Sequence, residues 1–185
     1  MRLISFLLLA ILAFCTSVTK TAEAQTSEQS QVRRSWGSLS LGLGSIDRED
    51  ATLTEISAFA GHVGYHWQRG HRLISLRTAA SFEVELIGNF LQESTYDPPH
   101  WIDAGGLIGV ATTWRYLHAT LGVGGAVVYG EGTGIEEFIT VGVPLEAQLF
   151  YGVDLLGIGF YIFANVNAVQ SFAGVALSLQ YGDLK

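Results

Sequence analysis

The sequence predicts an all-β chain: a closed, antiparallel, up-and-down transmembrane β-barrel of about eight strands. Three observations carry this expectation. From Trp36 onward, long stretches alternate residue by residue between an apolar face and a small or polar one. Many of these stretches exceed ten residues. That is longer than the usual five or six of a globular sheet, but it matches a tilted bilayer crossing of roughly nine to eleven. The middles of the apolar faces contain no Asp, Glu, Lys or Arg.

The strands follow in order. Leu39, Leu41 and Leu43 mark the first apolar face, and Phe59, Gly61, Val63, Tyr65 and Trp67 the second. Ile74, Leu76, Thr78, Ala80, Phe82 and Val84 mark the third; Ile102, Ala104, Gly106, Ile108, Val110 and Trp114 mark the fourth. In the fifth, Leu117 to Tyr129 alternates with His118, Thr120, Gly122, Gly124 and Ala126. The sixth sets Ile139 to Tyr151 against Thr140, Gly142, Pro144, Glu146 and Gln148. The seventh sets Leu156 to Val166 against Gly157, Gly159, Tyr161, Phe163, Asn165 and Asn167. The eighth sets Ala173 to Tyr181 against Gly174, Ala176, Ser178 and Gln180.

Longer polar connections alternate with tight turns, as the outer loops and periplasmic turns of a membrane barrel do. The longer ones are Ile46 to Ala51, Ile87 to His100 and Gly130 to Glu137, with a short fourth near Val169 to Ser171. The expected turns are Gln68 to Gly70, Arg115 to Tyr116, and Gly152 to Asp154. An even strand number places both chain ends in the periplasm.

Composition and the leading segment agree with export. Charged residues are 15% of the chain, against roughly 25% in a soluble domain. The net charge of -7 argues against a nucleic-acid partner, which needs clustered Lys and Arg. Arg2 followed by the apolar run Leu3 to Phe14, with Ala22-Glu23-Ala24 as a small-residue cleavage site, reads as a Sec-type signal peptide. The run is too short to span a bilayer as a helix. The expected organisation is therefore a signal peptide at 1–24, a disordered periplasmic lead-in at 25–34, and a barrel at 35–182. Cys15, the one cysteine, leaves with the signal, so no disulfide is expected. Leu12-Ala13-Phe14 before it resembles a lipoprotein lipobox, but Phe14 stands where that motif takes Gly, Ala or Ser, and no lipid anchor is expected.

Period two alone does not say which face meets lipid. A soluble lipocalin-like barrel points its apolar face inward; a membrane barrel reverses the assignment. Charge decides for the membrane. The polar face holds Arg77, Glu83, Glu85, Asp103, Glu146 and His62 among Gly, Ala and Ser, which suits a cramped lumen whose charges pair with one another. Arg72 lies at a turn, where it can snorkel. Tyr65, Trp67, Trp114, Tyr151 and Tyr181 fall on the apolar face near the ends of the four descending strands, as a periplasmic aromatic girdle would. Tyr129 is the best candidate for the opposite rim.

By this pattern, from Trp36 to Tyr181, the chain resembles the small outer-membrane barrels of the OmpA and OmpX type. The segment Phe172 to Leu179 is similar to the carboxyl-terminal signal read by the barrel assembly machinery, with Gly174 third and Leu177 and Leu179 sixth and eighth. Phe172 and the terminal Lys185 depart from that signal, which takes a polar first residue and an aromatic end. The resemblance implies a Gram-negative outer membrane as location, with its lipid and the assembly machinery as partners. It names no surface partner.

Chemistry is thinly represented. Lipid A deacylases of this size carry a His-x-Ser pair; the nearest spacing here is His118-Ala119-Thr120, without the serine. No catalytic residues and no cofactor are assigned. His62 and His66 share a strand face but should sit about 13 Å apart along it, too far for one metal ion. A structural, adhesive or surface-interaction role ranks first, a lipid-modifying enzyme second, and a narrow pore or ligand binder third. Mass spectrometry of the exported protein should find Gln25 as its first residue; a lipid-modified start at Cys15 would overturn the signal-peptide reading.

Overall fold

A computed structural model of the chain describes residues 33–46, 58–83, 100–132 and 135–185. Their strands are β1 (Arg33–Ile46), β2 (Ala58–Arg69), β3 (Arg72–Glu83), β4 (His100–Trp114), β5 (Leu117–Gly132), β6 (Ile135–Val153), β7 (Leu156–Asn167) and β8 (Phe172–Asp183). Each pairs antiparallel with its sequence neighbours, and β1 pairs with β8 from Ser35↔Asp183 to Ile46↔Phe172 to close the barrel. The shortest strands have 12 residues. At about 3.3 Å per residue and a tilt of about 40°, such a strand covers roughly 30 Å, the thickness of a hydrocarbon core.

The alternation sorts the side chains as the period requires. Leu41, Val63, Leu76, Ile108, Val141, Phe160 and Leu177 point outward and are exposed. Ser40, His62, Arg77, Asp103, Glu146 and Ser178 point inward and are buried. The five expected girdle residues Tyr65, Trp67, Trp114, Tyr151 and Tyr181 are all exposed on the outer wall at the tight-turn end. Tyr65 packs edge-on against Trp67 with centroids 4.5 Å apart. Tyr116, in the turn after Trp114, packs at 5.7 Å from Tyr151 and extends the group.

Several boundaries differ from the sequence expectation, each because ladder pairing runs further than the apolar pattern. β1 begins at Arg33, two residues inside the expected lead-in, since Arg33 pairs with Arg69. The turns are Gly70–His71, Arg115–Tyr116 and Asp154–Leu155, because Arg69↔Arg72 and Val153↔Leu156 still pair. The Gly130 to Glu137 connection is not a long loop. β5 and β6 pair as far as Gly132↔Ile135 across a register irregularity between Gly130 and Gly132. The connection after β7 is short as expected, and Asn167 shapes it: its Oδ1 accepts from the backbone N–H of Val169 at 3.0 Å and of Gln170 at 2.8 Å. The expected signal peptide at 1–24, residues 25–32, the connections 47–57 and 84–99 with Val84 and Glu85, and residues 133–134 lie outside the described residues.

At the tight-turn end the carboxyl terminus folds back over the barrel mouth. Leu184 is buried, and its N–H donates to Asp154 O at 3.2 Å. Lys185 Nζ reaches Asp154 Oδ1 at 2.5 Å, and that hydrogen bond raises the ammonium pKa. Val143 lies mid-wall and faces outward at 48% exposure. Val143→Arg should therefore cost about 2 to 4 kcal/mol when unfolding is measured in lipid vesicles. Equal stability of the variant and the parent would exchange inside for outside.

Candidate functional site

Among the described residues, buried polar and charged side chains gather in the lumen, and their centre is Arg77. In the sheet Arg77 lies between Gly64 on β2 and Gly105 on β4, so no neighbouring side chain blocks its guanidinium from crossing the lumen. It forms a fork with Asp103: Nη1 donates to Oδ1 at 2.6 Å and Nη2 to Oδ2 at 2.7 Å. Its Nε faces Glu146 Oε1 across the barrel at 2.9 Å, an ion pair outside hydrogen-bond alignment. Glu146 has room for this because its own register partner on β5 is Gly122.

Further groups bond to the same three carboxylate oxygens. Asn165 Nδ2 donates to Asp103 Oδ2 at 2.5 Å, and the backbone N–H of Ala79 donates to Oδ1 at 3.1 Å. The Tyr161 hydroxyl donates to Glu146 Oε1. His62 stacks on Tyr161 with centroids 3.9 Å apart and brings Nε2 to 3.7 Å from the same Glu146 oxygen, an electrostatic contact too long for a hydrogen bond. One connected cluster thus joins β2, β3, β4, β6 and β7.

A second layer lies toward the tight turns. His66 Nε2 is 2.7 Å from Ser38 Oγ and 3.3 Å from Gln148 Nε2, while Nδ1 is 2.8 Å from Ser75 Oγ. The rings of His62 and His66 come within 6.3 Å, far closer than the spacing expected along the strand. The position between them on the lumen face is Gly64, where a Cβ would lie 2.9 Å from the His62 ring and 3.0 Å from His66 Nε2. Even so, no group of three or more His, Cys, Asp or Glu among the described residues is placed to hold a metal ion.

Of the predicted lumen residues, Arg77, Asp103, Glu146 and His62 come together. Glu83 ends β3 opposite Ala58 with only its backbone described, and Glu85 is outside the described residues. Sequence reading missed the partners Tyr161 and Asn165, although both were placed on the inward face. It also expected a closed polar core among small residues, whereas the interior on either side of the polar centre is packed with rings. Trp101, Val128, Phe163 and Phe172 form one apolar cluster on the loop side, with Tyr161. Trp36, Leu73, Ala111, Phe150 and Leu184 form the other on the turn side. Trp36 stacks on His66 at 5.2 Å, and His118 lies parallel to Phe150 at 4.7 Å. The apolar faces drawn from the sequence begin at Leu39 and Ile102, so Trp36 and Trp101 were given no face.

The arrangement has one catalytic echo. Ser40 Oγ lies 3.4 Å from His62 Nδ1, and His62 Nε2 faces Glu146, the order of a Ser-His-acid relay. Ser40, however, already donates to Ser178 at 2.7 Å, and both Ser40 and His62 are buried in a filled lumen. His118, the other hydrolase candidate, has Nδ1 3.2 Å from Thr113 Oγ1.

No family model and no curated protein matches this sequence. Solved structures do. Neisserial surface protein A (NspA) superposes with a TM-score of 0.58 at 6% identity, covering 80% of this chain and 96% of its own. Ail, the attachment invasion locus protein of Yersinia pestis, superposes at 0.54 with 12% identity, over 80% of this chain and 97% of Ail. Ail in complex with the heparin analogue sucrose octasulfate gives 0.54 at 11% identity, over 81% and 98%. This is the fold of the small eight-stranded outer-membrane barrels. At these identities the likeness is one of fold alone.

For such a barrel the lumen cluster is a test of packing. Arg77→Ala strands two buried carboxylates and should cost about 3 to 5 kcal/mol in urea unfolding in detergent or lipid. Replacing Arg77 and Asp103 together by Met and Leu removes both charges of the fork and should restore part of that loss. An Arg77→Ala barrel as stable as its parent would remove the cluster from the energetics of the fold.

Proposed function

We propose that the protein is an integral outer-membrane barrel, exported with a cleaved signal peptide, whose wall and lumen are scaffold and whose outward connections make surface contacts. The observation that carries this reading is the filled lumen: an ion cluster at mid-height with an apolar ring cluster on either side. A barrel of eight strands has an interior just wide enough for side chains, and here they occupy it. That leaves the connections between strands as the places for specific recognition. The names of the structural neighbours, an attachment invasion locus protein and a surface protein, support the same direction for this chain.

The test has two parts. In planar bilayers the folded protein should give no steady current on the nanosiemens scale, and on gels it should shift in mobility on boiling. When displayed on cells, a version with residues 84–99 shortened should keep the mobility shift and lose adhesion to host-cell or matrix surfaces. Sustained conductance of the parent would put the pore reading first. Unchanged adhesion after shortening would remove surface contact from that loop.

A further inference from the structure

Five of the eight arginines collect at the tight-turn end of the barrel: Arg33, Arg34, Arg69 and Arg72 on β1 to β3, and Arg115 in the turn after β4. Arg69 stands directly opposite Arg33 on one side and Arg72 on the other. All three are exposed and, by strand parity, share the outer face with Tyr65 and Trp67. Like charges placed directly across a ladder repel one another, so this row is unfavourable in the protein alone. Among the described residues, β1 to β4 place no carboxylate at this end. The acids of this rim are Asp183 on β8 and Asp154 in the β6–β7 turn, and Asp154 is held by Lys185.

Beside the row is a notch of about 170 Å³, bordered by Arg34, Gln68, His71, Thr112, Thr113 and Arg115. It exists because β3 stops pairing with β4 at Arg72↔Val110, while β4 continues to Trp114 against β5. Arg34 is held across it, donating from Nε to Lys185 O and from Nη1 to Thr113 Oγ1, both at 2.7 Å. His71 Nε2 is buried there without a hydrogen-bond partner among the described residues. Arg115 makes no hydrogen bond or ion pair to a described residue, and its φ of 54° is left-handed. Gly70 and Asp154 hold the equivalent first positions of the other two turns at φ 60° and 56°. A glycine at 115 would meet that backbone demand without strain, so the arginine is present against local preference.

We propose that this rim is a binding site for an anionic phosphate group, seated in the notch between Arg34 and Arg115 with the Arg33–Arg69–Arg72 row facing neighbouring headgroups. The chemistry is that of basic clusters beside an aromatic belt, which attract anionic lipid at headgroup depth. It rests on the outer-membrane reading, in which this end meets the inner leaflet. The phosphate then comes from a phospholipid headgroup or from a soluble phosphate ester.

The experiment is native mass spectrometry of the full-length mature protein in detergent, titrated with phosphatidylglycerol or phosphatidylcholine, beside thermal unfolding with added glycerol phosphate. Phosphatidylglycerol should be retained preferentially, and Arg115→Gly should weaken that retention about fivefold, the effect of one arginine near anionic headgroups. The variant should keep its gel-mobility shift and fold at least as well as the parent. Arg115→Asn, which also accepts a left-handed backbone, should behave alike and guards against a peculiarity of glycine. If glycerol phosphate stabilises the parent but not the variants, the phosphate site stands and its source is soluble. Equal retention of the two lipids together with no effect of glycerol phosphate, or unchanged binding in both variants, would overturn the proposal. A parent without a mobility shift would instead overturn the barrel reading itself, and this proposal with it.

Discussion

Closure of the sheet between β1 and β8 is the constraint from which the rest of this molecule follows. A sheet that faces hydrocarbon can leave no row of unpaired backbone groups, because each one costs several kcal/mol there. Eight strands satisfy that condition with a narrow interior. Narrowness then dictates the contents. Side chains that point inward must fill the space against one another, and any charge among them must find a partner within the lumen.

The Arg77 cluster is that condition met. Buried ion pairs often give little net stability, since desolvating the charges offsets their attraction. Their stronger effect here is on register. A slip of one residue in β3 would turn Arg77 out toward lipid and bring Leu76 or Thr78 into the lumen, stranding Asp103 and Glu146. The glycines opposite Arg77 and Glu146 belong to the same argument, because they are the positions that let long polar side chains reach across. The ring clusters lie on either side of the buried cluster, and in such apolar surroundings its electrostatic interactions are stronger than in water.

The two ends of the barrel differ. At the tight-turn end three two-residue turns, an aromatic belt, the arginines and the returning carboxyl terminus are packed close together. At the other end, β1–β2 and β3–β4 are joined by longer polar segments. The two ends are thus held to different constraints, since loops tolerate sequence change that a closed ladder does not.

Strand number, facing and the outer wall were legible in the sequence, because period two is a local property that each residue reports by its own polarity. The girdle was legible for the same reason: Trp67, Trp114, Tyr151 and Tyr181 needed only a face and a nearby turn. Arg77 and Glu146 were readable as inward charges, but not their meeting, since they lie on strands three apart in the ladder and approach only across a closed lumen. The extents of the Gly130 to Glu137 hairpin and of the turns depended on ladder pairing, which neither strand shows alone. The approach of His62 to His66 required the gap at Gly64, and the closing of the lumen by Trp36, Trp101 and Leu184 required three distant parts of the chain at the two ends of one cylinder. Polarity along a strand determines which way a side chain points; only the closed sheet decides what it meets there.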